Sequence, residues 1–355
     1  MQAPHDSDLA GVFEAIGTPS WELLRGKRIF LTGGTGFVGK WLLATLLYAE
    51  RRLGLDCHVT VLSRQPDVFR REAPLFAEAR QVLLLHGDVR DFAFPKESHD
   101  FVIHAATDVV AAADPLSIFD SCVGGTRRVL DFSVRTGASR ILLVSSGAMY
   151  GRQPVHETGV TEDFEGAPRV GDIRSAYGEG KRVTEWLGAA YSNLSGLDVR
   201  IARCFAFVGP YLPLDKHFAL GNFLRDAMNN APIVINGDGR ALRTYLYAAD
   251  MASWLWATLL KGGRNETYNV GGDEIVSIAE LAEIVVDSVG STSKVSILGQ
   301  SAVGMAPERY VPDIHKATSK LGLTKPLALR EAIARTAAWH LALSRTESKS
   351  PQEIL

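Results

Sequence analysis

A tyrosine and a lysine four residues apart are the first pair in this sequence whose types and spacing could do chemistry. Tyr177 and Lys181 have the spacing that places two side chains on one face of a helix. A free tyrosine loses its proton near about pH 10, and a neighbouring ammonium group favours the phenolate. Tyr177 would then act as a general base or acid on a hydroxyl group, with Ser146 hydrogen-bonding the same oxygen. Such a pair is also common on exposed helix faces, so its meaning depends on the rest of the chain.

A glycine-rich segment near the N-terminus follows a predicted strand and opens a predicted helix. Residues 33–39 fit G-x-x-G-x-x-G, and the overlapping G-x-G-x-x-G begins one residue later. Glycines allow a tight turn and let the backbone approach a pyrophosphate, while the helix N-terminus favours negative charge. The segment predicts a dinucleotide site; the alternative is a glycine-rich turn without a ligand. The predicted cofactor contacts here are Gly33, Thr35, Gly36, Phe37, Val38 and Gly39.

The end of the second predicted strand bears on the choice between NAD and NADP. NAD enzymes usually carry an acidic residue there for the ribose 2′-hydroxyl, whereas an arginine suits a 2′-phosphate. This strand ends with Ser63 and Arg64, and Asp56 lies at its opposite end. Arg64 can make a forked, charge-assisted contact with phosphate. The pattern predicts contacts from Ser63 and Arg64 and favours NADP over NAD; the alternative is a solvated arginine or one stacked on adenine.

The next strand ends also carry residues that suit a bound dinucleotide. Asp88 follows the third predicted strand and could hold the adenine edge, and the small residues 105–107 follow the fourth. Ligands of open α/β sheets lie outside the carboxyl ends of the strands. An oxidised nicotinamide there would add to the effect of Lys181 on the pKa of Tyr177, so both residues are also expected to contact the cofactor. The contacts predicted at these ends are Asp88, Val89, Ala105, Ala106, Thr107, Ser145 and Phe205.

Short strands alternate with helices over the first two hundred residues, and these elements must position the site. The predicted strands are Arg28–Thr32, His58–Ser63, Val82–His86, Phe101–His104, Ile141–Ser145 and Val199–Cys204. The predicted helices are Phe37–Glu50, Asp67–Ala79, Pro115–Thr136 and Ala176–Leu194. This alternation, with strands apolar on both faces, predicts an α/β fold with a Rossmann-type, doubly wound parallel sheet.

Glycine, proline and asparagine become frequent after about residue 205, which predicts a smaller C-terminal α/β subdomain for substrate binding. We expect a helical arm over 1–25 and a dinucleotide-binding domain over 26–205. The substrate subdomain is expected over 206–345, with some elements returning to the core, and a polar tail over 346–355.

Composition excludes several other classes of protein. The 355 residues carry a net charge of −2 without a basic stripe, so no nucleic-acid partner is expected. The three scattered cysteines predict neither a disulfide framework nor a metal site. The most apolar helical stretch, Trp41–Tyr48, is too short to cross a bilayer, and the N-terminus has no targeting pattern. We therefore expect a cytoplasmic protein without a membrane partner.

With these motifs in place, the chain resembles the extended short-chain dehydrogenase/reductase family, in its nucleotide-sugar epimerase/dehydratase branch. The resemblance covers roughly residues 26 to 340. It depends on residues 33–39, 87–89, 104–106 and 145–151, on the Tyr177/Lys181 pair, and on residues 203–210, 237–247 and 268–271. It implies NAD or NADP, a nucleotide-diphosphate sugar as substrate, and a homodimer formed through Pro115–Thr136 and Ala176–Leu194.

The same resemblance implies that Arg243 and Arg309 bind the substrate diphosphate, for which a guanidinium is well suited. The alternative for each arginine is a surface salt bridge.

The family pattern breaks at three places. The 4,6-dehydratases of this branch carry an acidic pair where Gly147 and Ala148 stand, and neither residue can move a proton. That chemistry is therefore doubtful here. Cys122 and Ala206 replace asparagines that are common in the family, and Asn222 could offer a substitute polar contact to the substrate.

Three functions remain open from the sequence. A nucleotide-sugar epimerase that works by transient oxidation needs only Ser146, Tyr177, Lys181 and a retained cofactor. An NADPH-dependent reductase of a keto-sugar nucleotide would suit Arg64. A catalytically silent dinucleotide-binding protein is the third possibility, although such a protein would be expected to have lost the tyrosine or the lysine.

Overall fold

The computed structural model describes residues 1–107, 114–216, 218–301, 304 and 306–348, with side chains as far as residue 345. Its strands, in chain order, are β1 (Arg28–Thr32), β2 (His58–Ser63), β3 (Val82–His86), β4 (Phe101–His104), β5 (Arg140–Ser146), β6 (Asp198–Cys204), β7 (Ala206–Val208), β8 (Ile233–Ile235), β9 (Leu242–Arg243), β10 (Tyr245–Tyr247), β11 (Thr267–Val270), β12 (Val276–Ser277), β13 (Val295–Ile297) and β14 (Arg309–Tyr310).

Helices cover most of the chain between these strands. They are α1 (Asp6–Ile16), α2 (Thr18–Trp21), α3 (Phe37–Leu53), α4 (Pro66–Glu72), α5 (Pro74–Ala77), α6 (Pro115–Thr136), α7 (Ala176–Ser195), α8 (Ala219–Met228), α9 (Ala248–Lys261), α10 (Ile278–Val289), α11 (His315–Leu321) and α12 (Leu329–Ser348). Short 3-10 turns occupy Glu22–Leu24, Gly147–Tyr150 and Ile173–Ser175. None of the helices in the described ranges combines the length and apolar character that a membrane span requires.

Seven parallel strands form the central sheet, in the order β3-β2-β1-β4-β5-β6-β11. The order reverses between β1 and β4, and in sheets of this kind ligands bind in the crevice at that point. The predicted doubly wound parallel sheet is confirmed. The six strands that the sequence predicted lie where they were expected, within one residue at their starts and ends.

Burial along the strands differs between the middle and the edge of the sheet. The central strands β1, β4 and β5 are buried on both faces, apart from the first residues of β1 and β5, as predicted. Strand β3 departs from that expectation, and Leu83 in it is 61% exposed. The reason is that β3 is the edge strand, so that it has a neighbouring strand on one side only.

One predicted helix is divided in the structure. The sequence predicted a continuous helix over Asp67–Ala79, but α4 ends at Glu72 and α5 begins at Pro74. Proline has no backbone N–H and its ring clashes with the preceding turn of a helix, so a helix breaks before it. Ala73 accordingly leaves the helical conformation, with φ of −134°.

The first residues form helix α1, which packs against the main hydrophobic core. Leu9, Val12 and Ile16 of α1 are buried in the main hydrophobic core. Asp8 is also buried; its carboxylate pairs with Arg335 of α12 at 2.7 Å and accepts a hydrogen bond from Tyr247 at 2.6 Å. The N-terminal helix is therefore tied to the last helix of the chain. That helix runs to Ser348, and the rest of the predicted polar tail, 349–355, lies outside the described residues.

The chain after residue 205 builds smaller sheets beside the carboxyl edge of the main sheet. Strands β7 and β10 pair in parallel, β9 lies between β12 and β14, and β8 pairs with β13. Strand β11 returns to the edge of the main sheet, where it pairs with β6.

Candidate active site

The glycine-rich turn after β1 is packed too closely for side chains at several positions, among them Gly33 and Gly39. Gly33 has φ of +73°, and a Cβ there would lie 2.6 Å from the Ala105 carbonyl group after β4. A Cβ on Gly39 would lie 2.3 Å from the Gly33 oxygen. Gly36 caps the N-terminus of α3, where backbone N–H groups favour a phosphate group. The turn therefore fits a dinucleotide pyrophosphate, which needs close approach of the backbone.

The ends of β2 and β3 bring together the residues predicted to bind the adenosine part. Ser63 is buried and its hydroxyl accepts a hydrogen bond from the Gln65 N–H at 3.1 Å, while Arg64 is exposed. Asp88 pairs with Arg90 through two hydrogen bonds of 2.8 and 3.1 Å. The hydrogen bonds from Arg90, and to a smaller extent the charge of Arg64, hold the pKa of Asp88 below its usual value. A carboxylate and a guanidinium thus lie side by side at this end of the crevice.

Tyr177 and Lys181 lie on the first turns of α7, facing the carboxyl ends of β4 and β5. The Lys181 Nζ donates hydrogen bonds to the Thr107 Oγ1 at 2.7 Å and to the Val144 carbonyl at 2.8 Å, and lies 5.8 Å from the centre of the Tyr177 ring. Burial lowers the pKa of Lys181. Thr107, predicted from its place after β4, is therefore in direct contact with the lysine.

Burial raises the pKa of Tyr177, and the hydrogen bond to Ser146 partly opposes that rise. The groups of the protein thus keep the phenol protonated. The lowered pKa predicted from the sequence requires the positive charge of an oxidised nicotinamide in addition to Lys181.

Ser146 ends β5 and has a partner, Tyr310, that the sequence did not predict. Its Oγ lies 3.1 Å from the hydroxyl of Tyr310 and accepts a hydrogen bond from the Ala148 N–H at 3.1 Å. Tyr310 also donates to the Cys204 carbonyl at 3.2 Å, and burial raises its pKa to about 12. The only signal in the sequence was its position next to Arg309.

A buried ion pair between Glu185 and Arg203 lies next to the carboxyl ends of β5 and β6. The Glu185 carboxylate, one turn beyond Lys181 on α7, accepts hydrogen bonds from the Ser145 hydroxyl at 2.5 Å and from Arg203 at 2.8 Å. Arg203 also donates to the hydroxyl of Tyr150 at 2.7 Å. The pair stabilises the charge of Arg203 and raises its pKa despite burial. The spacing of four residues from Lys181 was the one signal for Glu185 in the sequence.

A second buried network joins the end of β1, next to the glycine-rich turn, to α7. The His104 ring bonds the Thr32 hydroxyl at 2.8 Å and the Thr126 hydroxyl at 3.1 Å, and Thr126 in turn bonds Thr184 at 3.0 Å. Burial lowers the pKa of His104 to about 3, so the ring is neutral. Neutral histidine offers one donor and one acceptor, which two threonine hydroxyls can satisfy.

Three of the predicted substrate residues, Arg243, Arg309 and Asn222, follow residue 205 and have different neighbours in the structure. Arg243 pairs with Glu308 at 3.2 Å, and its guanidinium carbon lies 5.8 Å from the centre of the Tyr310 ring. Arg309, on the neighbouring strand β14, donates to the Thr158 carbonyl at 2.9 Å. Asn222 lines a cavity of about 330 Å³ together with Asp238 and Gly239. Ring and hydrogen-bond contacts therefore connect Arg243 with Ser146 through Tyr310, whereas the contacts of Arg309 and Asn222 are with other residues.

Fold and site together define a dinucleotide-binding protein of the extended short-chain dehydrogenase/reductase class. Residues 29–271 match the model of the NAD dependent epimerase/dehydratase family, and the chain belongs to that family. It is therefore an enzyme of a family whose members act with a nicotinamide dinucleotide.

Curated relatives include UDP-glucuronic acid decarboxylase 1 of Xenopus tropicalis, which is 29% identical over 314 residues, 87% of this chain and 71% of that protein. UDP-glucuronic acid decarboxylase 6 of Arabidopsis thaliana is also 29% identical and is aligned over 86% of both chains. Among solved structures, the dTDP-glucose 4,6-dehydratase DesIV of Streptomyces venezuelae, solved with NAD bound, is 26% identical with a TM-score of 0.77; the alignment covers 89% of this chain and 97% of that one. The UDP-glucuronic acid 4-epimerase of Bacillus cereus, in complex with UDP-glucuronic acid and NAD, shares the fold at 21% identity, with a TM-score of 0.76 and coverage of 89% and 99%.

Proposed function

We propose that this protein is a nucleotide-sugar epimerase that works by transient oxidation of one sugar hydroxyl carbon. The observation that carries the proposal is the set of Ser146, Tyr177 and Lys181 around one crevice, with glycine and alanine in the two positions after Ser146. That set suffices for reversible movement of a proton and a hydride. It contains no further acid or base for water loss.

In this mechanism Tyr177, as phenolate, removes the proton of the reacting sugar hydroxyl, and Ser146 then turns its own proton from Tyr177 to the carbonyl oxygen that forms. Lys181, held by Thr107 and the Val144 carbonyl, provides a fixed positive charge beside the phenolate. A dinucleotide held at the glycine-rich turn of residues 33–39 would supply a nicotinamide that can take up the hydride of the same carbon and give it back. Between the two hydride transfers the keto intermediate would rotate, so that the hydride returns to the opposite face of the sugar and inverts the carbon. Tyr177 gives its proton back to the oxygen in the same step. No net oxidation results.

A decarboxylase is the second candidate, and the relatives named UDP-glucuronic acid decarboxylases favour it. If the sugar carries a carboxylate on the carbon next to the oxidised one, the product of oxidation is a β-keto acid. Carbon dioxide then leaves, a proton takes its place, and the hydride returns to the carbonyl carbon. The same three side chains, Ser146, Tyr177 and Lys181, would carry out this reaction.

A reductase of a keto-sugar nucleotide is a third candidate. The exposed Arg64 at the end of β2 favours it, because an arginine there suits the 2′-phosphate of NADPH.

We propose NADP as the preferred cofactor, with the 2′-phosphate bound by Arg64. The test is the ratio of the dissociation constants for NADP and NAD in the wild type and in Arg64→Ser. We expect NADP binding to weaken at least about tenfold, which corresponds to the loss of one charge-assisted contact, with little change for NAD. An unchanged ratio would assign Arg64 to solvent or to the adenine ring.

We also propose that the substrate is a nucleotide-diphosphate sugar, with Arg243 binding the diphosphate near Tyr310, and that Arg309 and Asn222 extend the same site.

We further propose a homodimer formed through α6 and α7. The exposed apolar side chains of Leu116 on α6 and Trp186 on α7 support this arrangement. Size-exclusion chromatography of Trp186→Glu tests the dimer: a wild-type dimer and a monomeric variant are expected, and equal elution of the two proteins contradicts the assignment.

The reaction itself is tested with UDP- and dTDP-linked sugars, including UDP-glucuronic acid, followed by nuclear magnetic resonance of the products and by absorbance of the reduced nicotinamide. An epimerase forms the inverted sugar without a net absorbance change. A decarboxylase releases carbon dioxide, and a reductase consumes added NADPH.

The role of Tyr177 is tested by substitution. Tyr177→Phe should lower turnover at least about a hundredfold, because it removes the general acid–base catalyst. The matched control is Tyr211→Phe, whose lost hydroxyl bonds the Gln2 carbonyl far along the chain from α7. Full turnover by Tyr177→Phe would refute the mechanism.

A further inference from the structure

We propose that Tyr310 is a positioning residue that completes a chain of hydroxyl groups, Tyr177–Ser146–Tyr310, and that this chain supplies the hydrogen bonds that stabilise the Tyr177 phenolate. The proposal rests on the proposed function, because it assigns Tyr310 a role toward the base of that reaction. Tyr310 belongs to the substrate subdomain and lies 164 residues after Ser146 in the chain.

The protons available determine which hydroxyl is the donor in each hydrogen bond of this hydroxyl chain. The Tyr310 hydroxyl lies 3.1 Å from Ser146 Oγ and 3.2 Å from the Cys204 carbonyl oxygen. A carbonyl can only accept a hydrogen bond, and a phenol has one proton, so the Tyr310 proton points to Cys204. Ser146 must then donate its own proton to Tyr310, while its Oγ accepts from the Ala148 N–H. Ser146 therefore has a lone pair left for a donor on its other side, such as the Tyr177 hydroxyl.

When Tyr177 loses its proton, donor and acceptor exchange in the hydrogen bonds that join Tyr177, Ser146 and Tyr310. A phenolate only accepts, so the Ser146 hydroxyl turns its proton to Tyr177. The Ser146 Oγ then has room for the Tyr310 proton, which swings away from the Cys204 carbonyl. Two hydroxyl rotations make the change and no heavy atom has to move. Hydrogen bonds to a charged oxygen are roughly twice as strong as neutral ones, and a chain of them is reinforced by polarisation.

The surroundings hold the Tyr310 ring where the chain needs it. The ring lies 4.7 Å from the Phe205 ring, centre to centre, and Phe205 is buried. Strand β14 pairs with β9 so that Tyr310 lies opposite Arg243. Because Arg243 is the proposed diphosphate ligand, substrate binding at Arg243 would further restrain the hydroxyl that bonds Ser146. Without Tyr310, Ser146 could still donate to the phenolate, but nothing on β14 would donate to Ser146 in turn.

The test is the titration of Tyr177 in the complex with oxidised dinucleotide, followed by nuclear magnetic resonance of protein labelled at the tyrosine ζ-carbon. The Tyr177 signal is the one that Tyr177→Phe removes. In Tyr310→Phe we expect the Tyr177 midpoint to move to higher pH. The control Tyr211→Phe loses a hydroxyl that also donates to a backbone carbonyl, and it should leave the midpoint unchanged.

The chain acts through Ser146, which provides the second arm of the test. In a Ser146→Ala background, Tyr310→Phe should produce no further movement of the Tyr177 midpoint. In Ser146→Ala alone, the Tyr310 signal should shift, because its hydroxyl loses a donor; this measurement does not require the Tyr310 variant to fold. An unchanged midpoint in Tyr310→Phe, or a shift that persists without Ser146, overturns the proposal.

Activity provides a separate readout. We expect kcat of Tyr310→Phe to fall about tenfold near neutral pH with little change in KM, as for an interaction made in the transition state. A KM effect with unchanged kcat would make Tyr310 a substrate contact and overturn its role toward Tyr177. The titration does not require turnover, so a failure of the proposed function, with no nucleotide sugar converted, is distinguishable from a failure of the hydroxyl chain.

Discussion

Replacing Glu185 by glutamine should destabilise the protein strongly, because it removes one charge of a buried pair. The Glu185 and Arg203 side chains are 10% and 11% exposed. The carboxylate accepts from Arg203 at 2.8 and 3.1 Å and from the Ser145 hydroxyl at 2.5 Å. Arg203 has further acceptors in the Tyr150 hydroxyl and the Glu162 carbonyl, but these are neutral and cannot replace the carboxylate charge.

The magnitude follows from that geometry. Removing one partner of a buried ion pair costs about 3–5 kcal/mol, because the remaining charge stays buried without compensation. Glutamine keeps the volume and one acceptor oxygen but turns an amide NH₂ toward the guanidinium. We therefore expect a loss near the lower end, about 3 kcal/mol in the free energy of unfolding.

Urea unfolding followed by circular dichroism measures the effect as a lower midpoint at unchanged slope. The matched control is Asp287→Asn, which makes the same chemical change in an exposed pair with Arg330, where both side chains are about 60% exposed. The control should unfold close to the wild-type midpoint. Equal midpoints for Glu185→Gln and wild type would refute the reasoning, and so would equal losses in the two variants.

Two further predictions concern the cofactor turn and the buried histidine. Gly39→Ala should abolish dinucleotide binding in an equilibrium titration, because its Cβ would lie 2.3 Å from the Gly33 oxygen; Gly11→Ala, with nothing within 4 Å of its Cβ, should bind normally. His104, with a folded pKa of about 3, is protonated first in the unfolded chain, so its contribution to stability is lost as the pH falls below about 6.5 toward 3. In urea unfolding between those pH values, wild type should lose up to about 1.4 kcal/mol per pH unit more than His104→Gln, and parallel pH profiles of the two proteins would contradict this.

The sequence predicted the parts of this protein that depend on residues close together in the chain. The strand–turn–helix that contains Gly33 and Gly39 is specified within a dozen residues, and the Tyr177/Lys181 spacing is a property of one helix. The parallel sheet also followed from local patterns, because each strand could be recognised by its own apolar run. The break at Pro74 also has a local cause, because proline ends a helix, although the apolar spacing predicted a continuous helix over Asp67–Ala79.

The contacts that the sequence did not predict join distant segments. The bond between Ser146 and Tyr310 depends on β14 pairing with β9, a pairing of two-residue strands that leaves no periodicity to detect. The partners of Glu185 lie on β5 and β6, so its role depends on the packing of α7 against the sheet. The exposure of Leu83 depends on strand order, which the sequence of β3 does not contain.

The structure also gives a physical reason for the glycine at position 147. A Cβ on Gly147 would lie 2.6 Å from the Phe205 ring, which is closer than real Cβ contacts allow. The Phe205 ring packs on Tyr310, and Tyr310 bonds Ser146, so the ring cannot move aside without disturbing the serine. An acidic side chain at 147 would therefore disrupt the hydroxyl that binds the reacting oxygen. The packing of Gly147 against Phe205 thus supports the proposed chemistry, in which a sugar hydroxyl is oxidised without loss of water.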